Sequence, residues 1–504
     1  MRRRSGGRES RKAMRAGPRP NPAPPGQMGG HYRPLSAQDI TRIIDAAMAL
    51  LATLGMGEVP DRLARDLCGV GATKGAEGRL RFPRPVVEAA IASAPKKITL
   101  HGRDPARTIT VGGNRVHFGT GGAAVQTLDL DTGQYRAATL ADLRAFTRLQ
   151  DALTNISWFT RCCIATDVAD PFELDVNTAH ALLRHTTRPV ATAFTLAEHI
   201  DPIVQMLDIA AGGPGRFAER PFLAAHISPV ISPMRYGEDA VDVTYGCLAH
   251  NIPVSCITAA QAGATAPAPP AAFLVQSLAE TLASLVMVQA IRPGHPMIFS
   301  NWPFVIDLRT GAFSGGGGET ALMNAASAQI TGALGLPSGV AASMTDAKLP
   351  DAQYGIEKAM TALAAGLAGG NMIYESSGMM AALLGVSFEA FVIDDEMHSA
   401  IYRVLRGIEV SDQTLDIAAI SEAILTDGHF LGAGQTQDAM ERDYYYPGLS
   451  DRDAPRAWQE AGGRSHWDRA REKARAILAT HRPQYLSDAQ EAAIRATLPI
   501  RPAD

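Results

Sequence analysis

Gln353 and Glu357 stand four residues apart, which puts them on one face of any helix they share. Asp346, Lys348 and Asp351 precede them in Ser343-Met344-Thr345-Asp346-Ala347-Lys348-Leu349-Pro350-Asp351, and the helix that follows is small and apolar. Acid, base and amide groups gathered before a buried-looking helix are the raw material of a polar site. They are equally the material of rim ion pairs and helix caps, and both readings stand. Other side chains worth following are His226 in His226-Ile227-Ser228-Pro229, Thr265 in Ala262-Gly263-Ala264-Thr265, and the run Asn301-Trp302-Pro303-Phe304 with Asp307-Leu308-Arg309 just beyond. Gly119-Thr120-Gly121-Gly122 is a loop of small residues whose backbone a ligand can approach.

These residues lie at the ends of short apolar runs. Such runs, rich in β-branched or aromatic residues, read as strands at 115–119, 156–164, 189–194, 221–227, 253–258, 296–300, 338–342 and 372–376. Longer helical patterns separate and follow them at 139–153, 172–185, 197–210, 238–250, 272–291, 319–334, 350–367 and 387–406. Four runs open with proline, which suits a first strand position. Eight strand–helix units over 113–407 predict a closed (β/α)₈ TIM barrel of α/β class, whose site lies at the C-terminal strand ends. An open doubly wound sheet alternates in the same way, but no glycine-rich nucleotide fingerprint follows the first strand. The strand-end rule singles out Gly119, Thr120, Gly121, Phe194, His226, Thr265, Trp302, Phe304, Asp307, Arg309 and the segment from Ser343 to Glu357.

Outside the barrel, residues 1–33 carry eight Arg and one Lys against one Glu and almost no large apolar side chain, so a disordered, dispensable basic tail is expected. Residues 34–112 read as a helical N-terminal layer, with Ser36 as an N-cap, and 408–504 as a mainly helical C-terminal extension. The chain of 504 residues has net charge −4; with +8 in the tail, the remainder carries −12, which disfavours nucleic acid and suits a cationic substrate.

Five Cys in this length make no disulfide framework and no zinc pattern, so no metal is expected and a reducing cytoplasm is the default. The longest apolar stretch, 271–291, is broken by Gln276, Ser277, Glu280 and Thr281, which argues against a membrane span. Asp427-Gly428-His429-Phe430-Leu431-Gly432 matches D-x-H-x-x-G, the loop that gives cobalamin a histidine ligand, but no Rossmann-like alternation follows, and a helix–turn connection is the expectation. Ser314-Gly315-Gly316-Gly317-Gly318 reads as a flexible lead into a helix, and Asp394-Asp395-Glu396 as a solvated helix face.

Taken in order, His117-Phe118-Gly119-Thr120-Gly121, Ala262-Gly263-Ala264-Thr265, Arg292-Pro293-Gly294, Asp307-Leu308-Arg309-Thr310-Gly311, Gly335-Leu336-Pro337-Ser338 and Thr345-Asp346-Ala347-Lys348 resemble the trimethylamine methyltransferase family, over about 33–447. The resemblance implies a barrel that binds a methylated amine while a separate corrinoid protein presents cobalt(I) to take the methyl group. Cobalamin would then arrive on a partner and not be bound tightly here. Founding members carry pyrrolysine just before the Ser/Thr-Asp-Ala-Lys segment, and here Met344 takes that place. Pyrrolysine's imine accepts the lone pair of a tertiary amine; a thioether cannot. The chain is thus similar to the branch without pyrrolysine, some of whose members demethylate glycine betaine.

On that footing Asp346, Lys348, Gln353 and Glu357 are the catalytic candidates. Phe194, Trp302, Phe304 and Tyr354 are candidates for an aromatic cage. Asp307 or Glu357 would add negative potential, and Arg309 or the Gly119–Gly122 amides would hold a carboxylate. His226, Thr265 and Met344 would line the pocket. The readings that compete are a betaine-binding barrel without turnover, a trimethylamine methyltransferase proper, and a barrel lyase or hydrolase. A homo-oligomer is expected, because large apolar-faced barrels commonly associate.

Overall fold

The structure is a computed structural model and describes residues 21, 23–426 and 428–502. Eight parallel strands form its centre: β1 (His117–Phe118), β2 (Phe159–Thr160), β3 (Val190–Thr192), β4 (Leu223–Ile227), β5 (Val254–Thr258), β6 (Met297–Asn301), β7 (Ser338–Ala341) and β8 (Met372–Tyr374). β8 pairs with β1, and the ring closes where Ser157 N–H donates to Phe118 C=O at 2.8 Å and Gly119 bridges Trp158. The barrel expected from the alternation is therefore present and closed.

The prolines before β3, β5 and β6 lack a donor, but their carbonyls accept the first ladder bonds, from Phe159, Ala225 and Val254. The helices are α1 (Leu140–Ala152), α2 (Pro171–His185), α3 (Ile200–Ala211), α4 (Glu238–Ala249), α5 (Pro270–Ile291), α6 (Gly318–Ala333), α7 (Ala352–Leu367) and α8 (Phe388–Arg406). Local chemistry starts several of them. Thr139 and Asp142 form a capping box for α1, Asp170 caps α2 and Ser387 caps α8. Among the described helices α5 alone is long and apolar enough to cross a membrane, yet 78% of its apolar window is buried inside the protein, against the N-terminal helices.

Inside the barrel Tyr374 fills the centre. Its ring lies 5.2 Å from Trp158, 5.0 Å from His226 and 5.0 Å from Trp302, centroid to centroid. Aromatic pairs at such spacings contribute ~0.5–1.5 kcal/mol each beyond burial. Below this layer only about 10 Å³ remains free, among Leu100, Trp158, Met372 and Tyr374, so the barrel is a core and not a channel.

The N-terminal layer is not purely helical. A hairpin, Thr73–Lys74 with Leu80–Arg81, lies between the second and third of the helices Ala37–Thr53, Asp61–Gly69 and Arg84–Ser93, and a second hairpin after them, Ile98–Leu100 with Ile109–Val111, plugs the N-terminal end of the barrel. Thr110 C=O meets His117 Nε2 at 3.1 Å there.

The basic-tail expectation fails over its described part; residues 1–20 and 22 lie outside the described residues. Gly26 N–H donates to Val116 C=O, Gly29 to Asn114, and both Gly30 and Tyr32 to Leu367. Ala23 is buried among Val116, Ile401, Tyr402 and Leu405. Backbone pairing outweighs the poor side-chain composition in this segment. A chain starting at Leu35 is therefore expected to unfold with a midpoint several degrees below one starting at Asn21. Five lost backbone bonds, counting Val116 N–H to Gln27 C=O, at ~0.5–1.5 kcal/mol each set the scale, and calorimetry of the two truncations checks it.

Candidate active site

At the C-terminal mouth two small sheets rise from the strand ends. One joins Gln261–Ala262, Phe304–Ile306 and Phe313–Ser314; the other joins Met379–Met380, Gly385–Ser387, Gln126–Leu128 and Tyr135–Ala137. The first carries the aromatic layer upward. Trp302 lies 6.2 Å from Phe304, and Phe304 4.9 Å edge-on from Phe313. Met344 is fully buried and packs in the same cluster with Trp302, Phe304 and Tyr374.

The strand ends hold polar atoms that the protein leaves without partners. Among the described residues these include Thr258 Oγ1 (β5), Asn301 Oδ1 and Trp302 Nε1 (β6), Ser343 Oγ (after β7), and both carboxylate oxygens of Glu375 (after β8). Buried polar atoms are nearly always satisfied, and this set lies on the ends of four neighbouring strands. Ser343 and Glu375 also hold left-handed backbone conformations, with φ of 65° and 63°. Such conformations cost about 1–3 kcal/mol each and gather at functional sites.

Glu375 is not among the strand-end residues singled out from the sequence, although its strand, 372–376, is; neither that strand nor the one at 156–164 contributes a residue to that set. Its carboxyl lies against the β1 loop, where a Cβ on Gly121 would come within 2.7 Å of it. Gly119 has a matching reason to be glycine: a Cβ would strike the Trp158 ring. Burial pushes Glu375 up to about 8, against the pull of Lys358 and the Gly122 amide.

Behind it Lys358 and Asp394 form an ion pair at 2.8 Å with both side chains fully buried. Asp394 also accepts from Tyr354 OH at 2.5 Å and Gly378 N–H at 2.7 Å. The acidic run 394–396 is thus not a solvated face. Asp395 accepts from the Asn155 amide, and Glu396 from the amides of Gly448 and Ser450.

The other expected residues divide. Gln353 and Glu357 do share a face, Nε2 donating to Oε1 at 2.9 Å, but the helix starts after Asp351, its N-cap, and not at Pro350. Glu357 also accepts from Thr345 Oγ1 at 2.6 Å and Asp346 N–H at 2.8 Å. Asp346 accepts from Ser314 Oγ at 3.0 Å and Gly315 N–H at 2.8 Å, while Lys348 Nζ donates to the Asp346 carbonyl. These groups staple the glycine run to the post-β7 loop, so that run is a tied loop and not a flexible lead. His226 is an interior side chain beside Thr160 Oγ1 at 3.3 Å; burial, then the charge of Arg161, drives its pKa to about 3.

Thr120 binds the Thr160 backbone and Thr265 the Gln261 amide, so both hydroxyls are spent on loop structure. Phe194 packs in the main core and Tyr354 in the Asp394 network, away from the Trp302–Phe304 cluster; the cage set is corrected accordingly. Asp307 and Arg309 pair with each other at 2.9 Å on a hairpin tip with Arg309 88% exposed, so Arg309 holds no ligand at the barrel axis. His429 and Gly432 lie in the exposed turn between helices Ile417–Thr426 and Gly434–Arg442; Asp427 is outside the described residues.

A family model described as "Trimethylamine methyltransferase (MTTB)" matches residues 4–503. The chain belongs to the trimethylamine methyltransferase family. It is 31% identical over 82% of its length to "Trimethylamine methyltransferase MttB" of Desulfitobacterium hafniense, covering 83% of that protein. It is 28% identical over 94% of its length to "Glycine betaine methyltransferase" of another strain of that species, covering 98% of that protein. Among solved structures, a dihydropteroate synthase from Xanthomonas albilineans overlaps 61% of the chain and is itself covered completely, at TM-score 0.34 and 13% identity. The barrel assignment rests on the strand pairing above. As a family member the chain is a methyltransferase.

Replacing Lys358 by Met should strand Asp394 as an unpaired buried charge. The expected cost is about 3–5 kcal/mol, read as a lowered denaturation midpoint. Glu357→Ala should instead loosen one loop staple and cost less.

Proposed function

We propose that the protein transfers a methyl group from a quaternary amine of the glycine betaine type to the cobalt of a separate corrinoid protein, its co-substrate. Met344 carries this reading. At the position where the family resemblance places pyrrolysine, the structure has a buried thioether against Trp302, Phe304 and Tyr374. A thioether offers no electrophile to a nitrogen lone pair. Displacement from a neutral tertiary amine would expel an amide-like anion, far too basic to leave. A quaternary nitrogen needs no activation: as cobalt(I) shares its electron pair with the methyl carbon, the C–N pair returns to nitrogen and a neutral tertiary amine departs.

The protein's part is to bind and orient the cation and to exclude water, the aromatic faces favouring a permanent positive charge. Asp346, Lys348, Gln353 and Glu357 serve on this reading as positioning residues that shape the wall. The relatives named as trimethylamine methyltransferases support the neighbouring reading, with trimethylamine as donor.

Incubating the protein with cobalt(I) cobalamin and each of glycine betaine, other betaines and trimethylamine, and following methylcobalamin by absorbance, separates these. Turnover of a quaternary amine and none of trimethylamine is expected. Equal rates on trimethylamine overturn the assignment, and binding without turnover favours a betaine-binding barrel. Trp302→Leu should raise KM for the active donor roughly tenfold, the equivalent of ~1.4 kcal/mol of lost cation–π contact, with little change in kcat.

A further inference from the structure

We propose that Glu375 is the counter-charge of the substrate's ammonium group, its carboxylate at the end of β8 facing the bound cation across the Gly121–Gly122 loop. This deepens, and rests on, the reading that the donor is a quaternary amine.

The geometry is that of an acid waiting for an ion that cannot hydrogen-bond. No side chain donates to either Glu375 oxygen, the Gly122 amide alone pulls on the carboxyl, and the side chain is fully buried. Glycine at 121 leaves no side chain over the carboxylate. The cation nearest in charge, Lys358, is committed to Asp394 at 2.8 Å, and among the described residues no ion pair reaches Glu375.

Of the charged and titratable groups, Lys358 on α7 and Tyr374 on β8 act on it directly, and Tyr354 on α7 with Asp394 and His398 on α8 surround Lys358 in turn. Burial raises both tyrosines and lowers His398, so these stay neutral. With Lys358 and both carboxylates ionised, the group sums to −1. Asp394, held by three donors, is the member that keeps its charge as the partner of Lys358. Glu375, with only the Gly122 amide beside it, is the member that takes up a proton when the site is empty. A quaternary ammonium brings one positive charge and no N–H, and so matches a carboxylate that needs charge compensation more than donors. The exchange balances: the cation enters, the Glu375 proton leaves to solvent, and no bond of the donor is broken in this step.

Because burial lifts Glu375 to about 8, the empty site is roughly nine-tenths protonated at pH 7. Cation binding should then release about 0.9 proton per site at pH 7, and affinity should tighten about tenfold between pH 7 and 9. Titration calorimetry of the full chain with tetramethylammonium chloride, in two buffers of different ionisation heat, measures both. Glu375→Gln should melt no lower than the parent, release no proton and bind the cation at least tenfold more weakly.

Wild-type binding without proton release, or unaltered binding by Glu375→Gln, overturns the assignment while glycine betaine turnover would leave the substrate reading intact. Failure of wild type to bind either tetramethylammonium or glycine betaine overturns both. If Glu375→Gln does not fold, proton release and the pH dependence of the wild type decide.

Discussion

Lys358 and Asp394 meet at 2.8 Å with no solvent at either side chain, and the mouth of the barrel is built around that contact. Removing two charges from water costs several kcal/mol per ion, so such a pair survives only where further hydrogen bonds complete it. Here Tyr354 OH, Gly378 N–H and Met379 C=O do so. Those partners belong to α7 and to the loop after β8, and Asp394 itself to α8. One pair thereby fixes the helix that follows the Ser343–Asp351 segment and the turn that follows Glu375. It also holds the one buried lysine in the cluster, which leaves Glu375 uncompensated.

The rest of the barrel concentrates chemistry in that place by closing the alternatives. The interior is filled by Tyr374 with Trp158, His226 and Trp302 around it, and the N-terminal end is sealed by the Ile98–Val111 hairpin and the strand-like segment around Met28. Unpartnered polar atoms remain at the opposite end, on β5 to β8. Asp346 and Glu357, with four acceptor oxygens engaged by amides and hydroxyls, spend their charge on loop geometry and not on a ligand. Aromatic rings and a buried thioether gather around the ends of β6 and β7, a glycine loop and a carboxylate at the ends of β1 and β8. On the proposed function these are the groups that would meet a cation whose surface is methyl groups.

Much of the fold was legible because its signals are local. Alternating β-branched and helical runs, prolines before strands and Ser, Thr or Asp caps at helix starts are written within a few residues of where they act, and every expected barrel strand and helix is found. The site was legible in part. Gly119, Gly121, Trp302, Phe304 and Met344 follow from the strand-end rule, and Gln353 with Glu357 from helix spacing. The acidic run 394–396 misled because charge on a helix usually marks a wet face, and only the packing of α8 between α7 and the C-terminal helices buries it.

What the sequence by itself determined is thus the barrel, its direction and the segments at its mouth, since those depend on periodicity and on residue types that start and stop elements. Which carboxylate stands free was decided by tertiary structure alone. Asp346, Glu357, Asp394 and Glu375 are alike in sequence as acids near strand or helix ends. Three of them meet donors brought by distant parts of the chain, and the fourth meets glycine. Whether a charge is neutralised depends on what the fold places within about 3 Å of it, and no spacing along the chain encodes that.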